Sequence, residues 1–178
     1  MPTPPQGPSA LLLIDIQQAM FGPDEICHEP KALVQTLGDL LARARNEGIP
    51  VFHVRHCEAE GAFEPGSAGW HIHDAVAPNE GEPVIEKWAS SAFYNTDLDA
   101  RLRERGIEDL TIAGLQTEYC IDTACRVAQS LGYRVTLVGD GHSTFDTPEL
   151  GAAQIIAHHN KVLSGIVAAV KTAKDVRF

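Results

Sequence analysis

The stretch DLTIAGLQTEYCIDTACRVAQSLGYRVTLVGD, residues 109–140, contains the pattern that decides the fold. It starts with the apolar run DLTIAG, continues with apolar residues at helical spacing from about residue 118 to 131, and ends with YRVTLVGD. Gly132 supplies the left-handed residue that ends the helix. A strand, a helix and a second strand in this order predict two parallel strands joined by a right-handed crossover.

The same alternation extends in both directions along the chain. Upstream are the apolar run ALLLIDI, the helical pattern KALVQTLGDLLARARNEG, the strands VFHVRH and PVIEK, and the helical pattern TDLDARLRERG. Downstream, TPELGAAQIIAHHN predicts a helix, and we expect a last short strand near Val162. The expected fold class is therefore α/β, a Rossmann-like three-layer α/β/α sandwich around about six mostly parallel strands.

The length and charge of the chain limit its organisation and its partners. At 178 residues it fits a single domain, which we expect to span residues 1–178 with residues 1–9 as a flexible leader. The formal net charge of -10 repels phosphates and anionic lipid headgroups, so we expect neither a nucleic acid nor a membrane as a partner. Four cysteines in such a chain predict reduced thiols and a cytoplasmic location.

Three side chains with complementary chemistry follow predicted parallel strands. Asp15 closes the first strand, Lys87 follows PVIE, and Cys120 lies near the start of the helix after DLTIAG. The carboxyl ends of parallel strands share one edge of the sheet, where ligands bind, so one crevice could collect all three. An acid, an amine and a thiol form a complete set for nucleophilic acyl chemistry.

Each of these side chains has a physical reason for its role. The thiolate is the attacking form of cysteine, and we expect the helix N-terminus and the Lys87 ammonium to lower the pKa of Cys120. Asp15 can accept the thiol proton and return it to a leaving amine. Position alone, however, favours ordinary roles, because a cysteine near a helix start is more often a small buried apolar residue.

Three motifs resemble those of the isochorismatase-like cysteine hydrolases, a superfamily that includes nicotinamidases, N-carbamoylsarcosine amidases and biuret hydrolases. LLLIDIQQAMF resembles the strand-one motif of that family, and VIEKWASSAF resembles its lysine segment. GLQTEYCIDTACRVAQSLGYRVTLVGDGHSTF resembles its cysteine block, with Ile121 in place of the usual valine. The match spans nearly the whole chain and implies the isochorismatase-like hydrolase fold.

The resemblance also implies a role for each side chain. Asp15 corresponds to the general base, Lys87 to the cation between base and nucleophile, and Cys120 to the nucleophile. A cis peptide bond is implied between Leu115 and Gln116. The backbone N–H groups of Gln116 and Cys120 are then expected to form an oxyanion hole.

The same resemblance bears on the substrate and on metals. Nicotinamidases of this family carry a D-x-H pattern that binds a divalent metal, and VRHCEAEGAFEPG lacks it. His71 and His73 project to one side of an extended segment, too far apart for one ion unless the backbone bends, so we expect loop contacts or a subunit interface for them. We therefore expect no metal and no cofactor, and cleavage of a C–N bond in a small amide or carbamoyl-type substrate through a Cys120 thioester.

Two alternatives stay open at this point. One is hydrolysis of a vinyl ether of the isochorismate kind, in which the same carboxylate acts as an acid and the thiol need not become acylated. The other is a non-catalytic scaffold of the same fold. The presence of Cys120 favours amide chemistry over the first. A buried ionic group, which costs several kcal/mol to desolvate, argues against the second.

Residues next to the motifs are candidates for the walls of a substrate pocket, although each aromatic one could equally be an ordinary core residue. They are Gln17, Phe21, His56, Trp88, Phe93 and Tyr119. Thr117 is expected to cap the helix of Cys120, and Cys125 to face its packing side. Cys27 and Cys57 are expected to be inert thiols, with Cys57 in a loop that could border the site. We expect a small-molecule substrate and a homo-oligomer, a dimer or a tetramer.

Overall fold

The computed structural model describes residues 7–23 and 26–178. The leader expected at residues 1–9 therefore lies outside the described residues up to position 6. Its predicted boundary is wrong, because Ser9 already pairs with Asp109 as the first residue of a strand.

The described residues form one sheet of six strands. They are β1 (Ser9–Ile14), β2 (Val51–His56), β3 (Val84–Lys87), β4 (Asp109–Leu115), β5 (Arg134–Ser143) and β6 (Ala169–Lys171). Their order is β3-β2-β1-β4-β5-β6, and every neighbouring pair is parallel. The predicted α/β fold is confirmed, with all pairs parallel rather than most. The strand order reverses between β1 and β4, which is where sheets of this kind bind their ligands.

Helices cover both faces of the sheet. They are α1 (Pro30–Asn46), α2 (Leu98–Glu104), α3 (Asp122–Ser130) and α4 (Ala152–Leu163). Alternate residues of β1 face opposite sides, so Leu11 and Leu13 lie in the core beneath α1, whereas Leu12 and Ile14 lie in the core with α2 and α3. Burial of β1 on both faces explains why its sequence is continuously apolar.

The end of the chain differs from its prediction. Val162 lies in α4 and not in a strand, and the last strand starts at Ala169. The helix continues because Leu163, the next residue, is fully buried in the core. Gly165, with φ of 80°, then turns the chain back toward β6. None of the helices among the described residues is long and apolar enough to cross a membrane.

Two features of β4 and β5 shape the edge of the sheet. Gly114 has φ of 131°, and a Cβ atom there would overlap the carbonyl oxygen of Ile14, so only glycine allows β1 and β4 to approach so closely. The register of β5 shifts opposite this glycine. Ile112 pairs with Leu137, but Gly114 pairs with His142, so β5 carries a bulge just before its end.

Candidate active site

The three side chains singled out by the sequence meet at one edge of the sheet. Asp15 follows β1, Lys87 is the last residue of β3, and Cys120 lies in a π-helical turn, Thr117–Ile121, between β4 and α3. Lys87 Nζ lies 2.7 Å from Asp15 Oδ2 and 3.2 Å from Cys120 Sγ. The ammonium therefore stands between the carboxylate and the sulfur.

Burial distinguishes the thiol from the two charged groups. Asp15 and Lys87 are fully buried, whereas Cys120 is only partly buried. Neither oxygen of Asp15 has a well-directed hydrogen-bond partner among the described residues, although Oδ2 is close to the Lys87 ammonium. A buried carboxylate with free lone pairs can accept a proton.

The backbone at Asp15 and Cys120 is unusual. Asp15 has φ of 53°, in the left-handed region that few residues other than glycine adopt. The Leu115–Gln116 peptide bond, between β4 and the turn of Cys120, is cis. Non-glycine residues with left-handed backbone, such as Asp15, are enriched at working sites.

The charges at the site do not make Cys120 acidic. Burial raises the pKa of the Cys120 thiol to about 12, the negative charge of Asp15 raises it further, and Lys87 only partly offsets both. The expectation of a lowered thiol pKa is therefore wrong. The sequence could not reveal how deeply the sulfur lies or that a carboxylate stands beside it.

The other two groups are perturbed as well. Burial raises the pKa of Asp15 above its ordinary value, although the positive charge of Lys87 opposes the change. For Lys87, burial acts to lower the pKa, but the attraction of Asp15 and Cys120 outweighs it and the net shift is upward. At neutral pH the resting site thus holds a thiol beside an ammonium, and the neighbouring Asp15 carboxyl is easier to protonate than that of an ordinary aspartate.

His56 completes the surroundings of Lys87. Its Nδ1 atom lies 3.3 Å from Lys87 Nζ, and its Nε2 atom lies 3.3 Å from Glu58 Oε1. Because an ammonium only donates, Nδ1 must accept, and Nε2 then carries the proton that faces Glu58. Lys87 therefore has a hydrogen-bond acceptor in each of Cys120 and His56, and it forms an ion pair with Asp15.

Gln17 holds the loop between β2 and β3 in place. Its side-chain amide donates to the carbonyl oxygens of His56 and Trp70 at 3.0 and 2.9 Å, and its Oε1 accepts from the His56 N–H at 2.8 Å. With its amide used in this way and the residue fully buried, Gln17 does not line a substrate pocket. Cys57 at the start of that loop is also buried, and it accepts a hydrogen bond from Trp70 Nε1.

The four aromatic pocket candidates separate into two pairs. Phe93 packs on the core and stacks on Tyr133, and Phe21 packs on the opposite core with its ring 4.7 Å from that of His73. Phe93 and Phe21 therefore pack as ordinary core aromatic residues. Trp88 and Tyr119, which are next to Lys87 and Cys120 in the sequence, are exposed to solvent and do not enclose the site.

The two histidines of the loop do not form a ligand set. His73 Nδ1 accepts a hydrogen bond from the Ala75 N–H, and His71 lines a separate cavity of about 740 Å³ together with Asp74. Over residues 7–23 and 26–178, His, Cys, Asp and Glu side chains do not gather in groups of three or more that could hold a metal.

A buried polar chain next to Cys120 escaped the sequence interpretation. Thr117 was expected to cap the helix, but its hydroxyl oxygen lies 2.8 Å from His142 Nδ1 on β5, so the capping prediction is wrong. His142 is buried and also contacts Asn160 on α4. The polar stretch GHSTF at the end of β5, inside an otherwise buried sheet, was the available signal.

Comparison with known proteins places these features in context. A family model described as the isochorismatase domain matches residues 9–172. YddQ, an uncharacterized isochorismatase family protein from Bacillus subtilis, is 36% identical over 176 residues, which cover 93% of this chain and 97% of YddQ. A streptothricin hydrolase from Streptomyces noursei is 36% identical over 140 residues, covering 78% of this chain and 51% of that protein.

Two further matches come from Pseudomonas putida. A maleamate amidohydrolase is 31% identical over 156 residues, covering 75% of this chain and 73% of that enzyme. The crystal structure of an isochorismatase from the same species is 31% identical, with a TM-score of 0.91 over 99% of this chain and 94% of that one.

Proposed function

Because the chain belongs to the isochorismatase family of hydrolases, we propose that it cleaves a C–N bond in a small amide or carbamoyl-type substrate with Cys120 as the nucleophile. The observation that carries this proposal is the buried Lys87 ammonium, 2.7 Å from Asp15 and 3.2 Å from Cys120. Similarity to a maleamate amidohydrolase supports the choice of an amide.

In the first half of the proposed reaction, Asp15 takes the proton of the Cys120 thiol as sulfur attacks the carbonyl carbon. Because the thiol pKa is about 12, deprotonation accompanies the attack rather than precedes it. The Lys87 ammonium stabilises the anionic sulfur as it forms. We assign the N–H groups of Gln116 and Cys120 to the oxyanion of the tetrahedral intermediate.

Collapse of that intermediate breaks the C–N bond. The leaving ammonia or amine takes the proton from Asp15, and the acyl group stays on Cys120 as a thioester. In the second half, Asp15 takes a proton from an incoming water molecule, whose oxygen attacks the thioester. The acid product departs, and the sulfur recovers its proton from Asp15.

A panel of small amides, ureides and nicotinamide, assayed for ammonia release, tests the proposal. We expect at least one compound to be hydrolysed, and mass spectrometry of the quenched enzyme to find the acyl mass on the peptide that carries Cys120. A vinyl ether of the isochorismate kind belongs in the same panel. Its hydrolysis by both the wild type and Cys120→Ala, without ammonia release from any amide, would establish the vinyl ether alternative instead.

We further propose that this reaction requires no metal or other cofactor. The proposal rests on the chemistry of the site, in which a thiol, a base and a cation already supply nucleophile, proton transfer and charge stabilisation. Ammonia release should be unchanged after treatment with a chelator. Loss of activity with chelator and its recovery with zinc would overturn this part.

We also propose that the protein assembles as a dimer or tetramer. Trp88 and Tyr119, the chain neighbours of Lys87 and Cys120, are 61% and 56% exposed, and large aromatic side chains are enriched at subunit interfaces. Light scattering after size-exclusion chromatography should give at least twice the chain mass of 19.2 kDa. A monomer at micromolar concentration would contradict the proposal.

A further inference from the structure

A chain of three hydrogen bonds runs from the turn of Cys120 into the protein. Thr117 Oγ1 lies 2.8 Å from His142 Nδ1, and His142 Nε2 lies 2.9 Å from Asn160 Oδ1. Asn160 Nδ2 donates to the carbonyl oxygen of Gly139 at 2.9 Å. Thr117 is fully buried and His142 is 3% exposed, so these bonds are shielded from water.

The hydrogen bond between Asn160 and Gly139 determines the direction of the other two hydrogen bonds. A backbone carbonyl only accepts, so the NH₂ group of Asn160 must face Gly139 and its Oδ1 must face His142. His142 therefore carries its proton on Nε2, and its Nδ1 lone pair accepts from the Thr117 hydroxyl. The histidine thus has one tautomer, and the threonine hydroxyl one orientation.

Glycine at position 139 leaves room for the side chain of Asn160. A Cβ atom there would lie 3.3 and 3.4 Å from the amide atoms of Asn160 and 2.9 Å from Val170 Cγ1. The bulge in β5 then brings His142 opposite Gly114, two residues before Gln116. Strand β5 and helix α4 together therefore position the imidazole of His142 next to the π-helical turn of Cys120.

The imidazole is neutral at physiological pH. Burial lowers the pKa of His142, and the nearby His159 lowers it further, whereas Asn160 and the negative charge of Asp140 act in the opposite direction. A neutral ring keeps the Nδ1 lone pair that the Thr117 hydroxyl requires.

We propose that His142 is a positioning residue for the nucleophile. It fixes Thr117, the first residue of the π-helical turn, and thereby aims Cys120 at Asp15 and Lys87. The proposal rests on the proposed function, since it assigns His142 to the reaction of Cys120. His142 touches neither the sulfur nor a substrate on this account, so it acts only through Thr117.

Two pairs of variants test it. Thr117→Val removes the hydroxyl with little change of volume, whereas Thr117→Ser keeps it. His142→Phe removes both ring nitrogens, whereas His142→Asn keeps an acceptor near the position of Nδ1. Thr111→Val is the matched control, because Thr111 is another buried threonine, in β4, and takes part in none of the three hydrogen bonds.

For the best amide of the panel, we expect Thr117→Val and His142→Phe each to lower kcat about tenfold with KM unchanged, because a small misplacement of the nucleophile is costly. Thr117→Ser and His142→Asn should recover most of the loss. The double variant Thr117→Val/His142→Phe should be no slower than either single variant, since both break one linkage. Thr111→Val should retain wild-type kcat.

Two measurements do not depend on the substrate. Nitrogen-15 spectra of the imidazole should find the proton of His142 on Nε2, and the Nδ1 resonance should move in Thr117→Val. Alkylation of Cys120 by iodoacetamide should slow in Thr117→Val and recover in Thr117→Ser, because the sulfur loses alignment with its base. If no amide of the panel is hydrolysed, the proposed function is refuted, but the NMR and alkylation measurements still test the role of His142.

A role of Thr117 and His142 in stability alone would contradict the proposal. In that case, Thr117→Val and His142→Phe would lower the melting temperature while kcat, or the alkylation rate of Cys120, stayed within about twofold of wild type. A proton found on Nδ1 of His142 would refute the hydrogen-bond directions directly.

Discussion

Two cysteines on one continuous helical segment both have a raised pKa but lie in very different surroundings. Burial raises the pKa of both Cys120, in the π-helical turn, and Cys125, in α3, to about 12. Cys120 is partly exposed and lies 3.2 Å from the Lys87 ammonium. Cys125 is fully buried in the core beneath α3. What separates them is the base and the cation at one thiol, not an acidic sulfur.

Removal of each sulfur in turn should show the largest difference between Cys120 and Cys125. Cys120→Ala should lower kcat/KM for amide hydrolysis at least about a thousandfold, because a nucleophile has no substitute in a covalent mechanism. Cys125→Ala should leave kcat/KM within about twofold and reduce the free energy of unfolding by about 1 kcal/mol. Steady-state kinetics and urea unfolding measure the two effects.

Removal of the base from Cys120 should have the next largest effect. Asp15→Asn keeps the shape of the side chain but cannot accept the thiol proton, so kcat should fall about a hundredfold or more. Circular dichroism should remain that of the wild type. Full turnover in Asp15→Asn would show that Asp15 is not the base. Cys120 would then be no better supplied with a base than Cys125.

The helices and strands of the molecule differed in how well they could be predicted from sequence. The run VFHVRH matches β2, Val51–His56, because the burial of a strand determines the pattern of apolar residues along its own sequence. The ends of β1, β3 and β4 followed from the same patterns, so Asp15, Lys87 and Cys120 could be placed at one edge of the sheet. The π-helical form of the turn of Cys120 has no comparable local signature.

What escaped prediction depends on contacts between distant segments. Thr117 bonds to His142, 25 residues away, and a bulge in β5 sets that register. Periodicity carries no information about either. The thiol pKa was misjudged for a related reason, since burial and a neighbouring carboxylate outweigh the ammonium only when all three are in place. Gln17 also has partners 39 and 53 residues away.

The difference between the cysteines can also be measured without a substrate, by labelling the thiols. Iodoacetamide at pH 7 should alkylate Cys120 at least about tenfold faster than the buried Cys27, Cys57 and Cys125, because Cys120 alone combines partial exposure with an adjacent base. Peptide mass spectrometry over time gives the four rates. Asp15→Asn should remove most of the difference. Equal slow labelling of all four in the wild type would favour a non-catalytic scaffold.

The pH dependence of kcat/KM tests whether Asp15 is the base, and here the expected effect is the smallest. Burial raises the pKa of Asp15, and the reaction needs the carboxylate, so activity should rise as pH increases through a value above that of an ordinary aspartate, about 4. Lys87→Gln should move this acid limb to higher pH, because the ammonium acts to lower the Asp15 pKa and its loss makes the carboxylate harder to form. Asp39→Asn, a change on the solvent side of α1, is the control and should not move the limb. An acid limb at or below about pH 4, or one that Lys87→Gln moves downward, would mean that the titrating base is not the buried carboxylate beside Cys120.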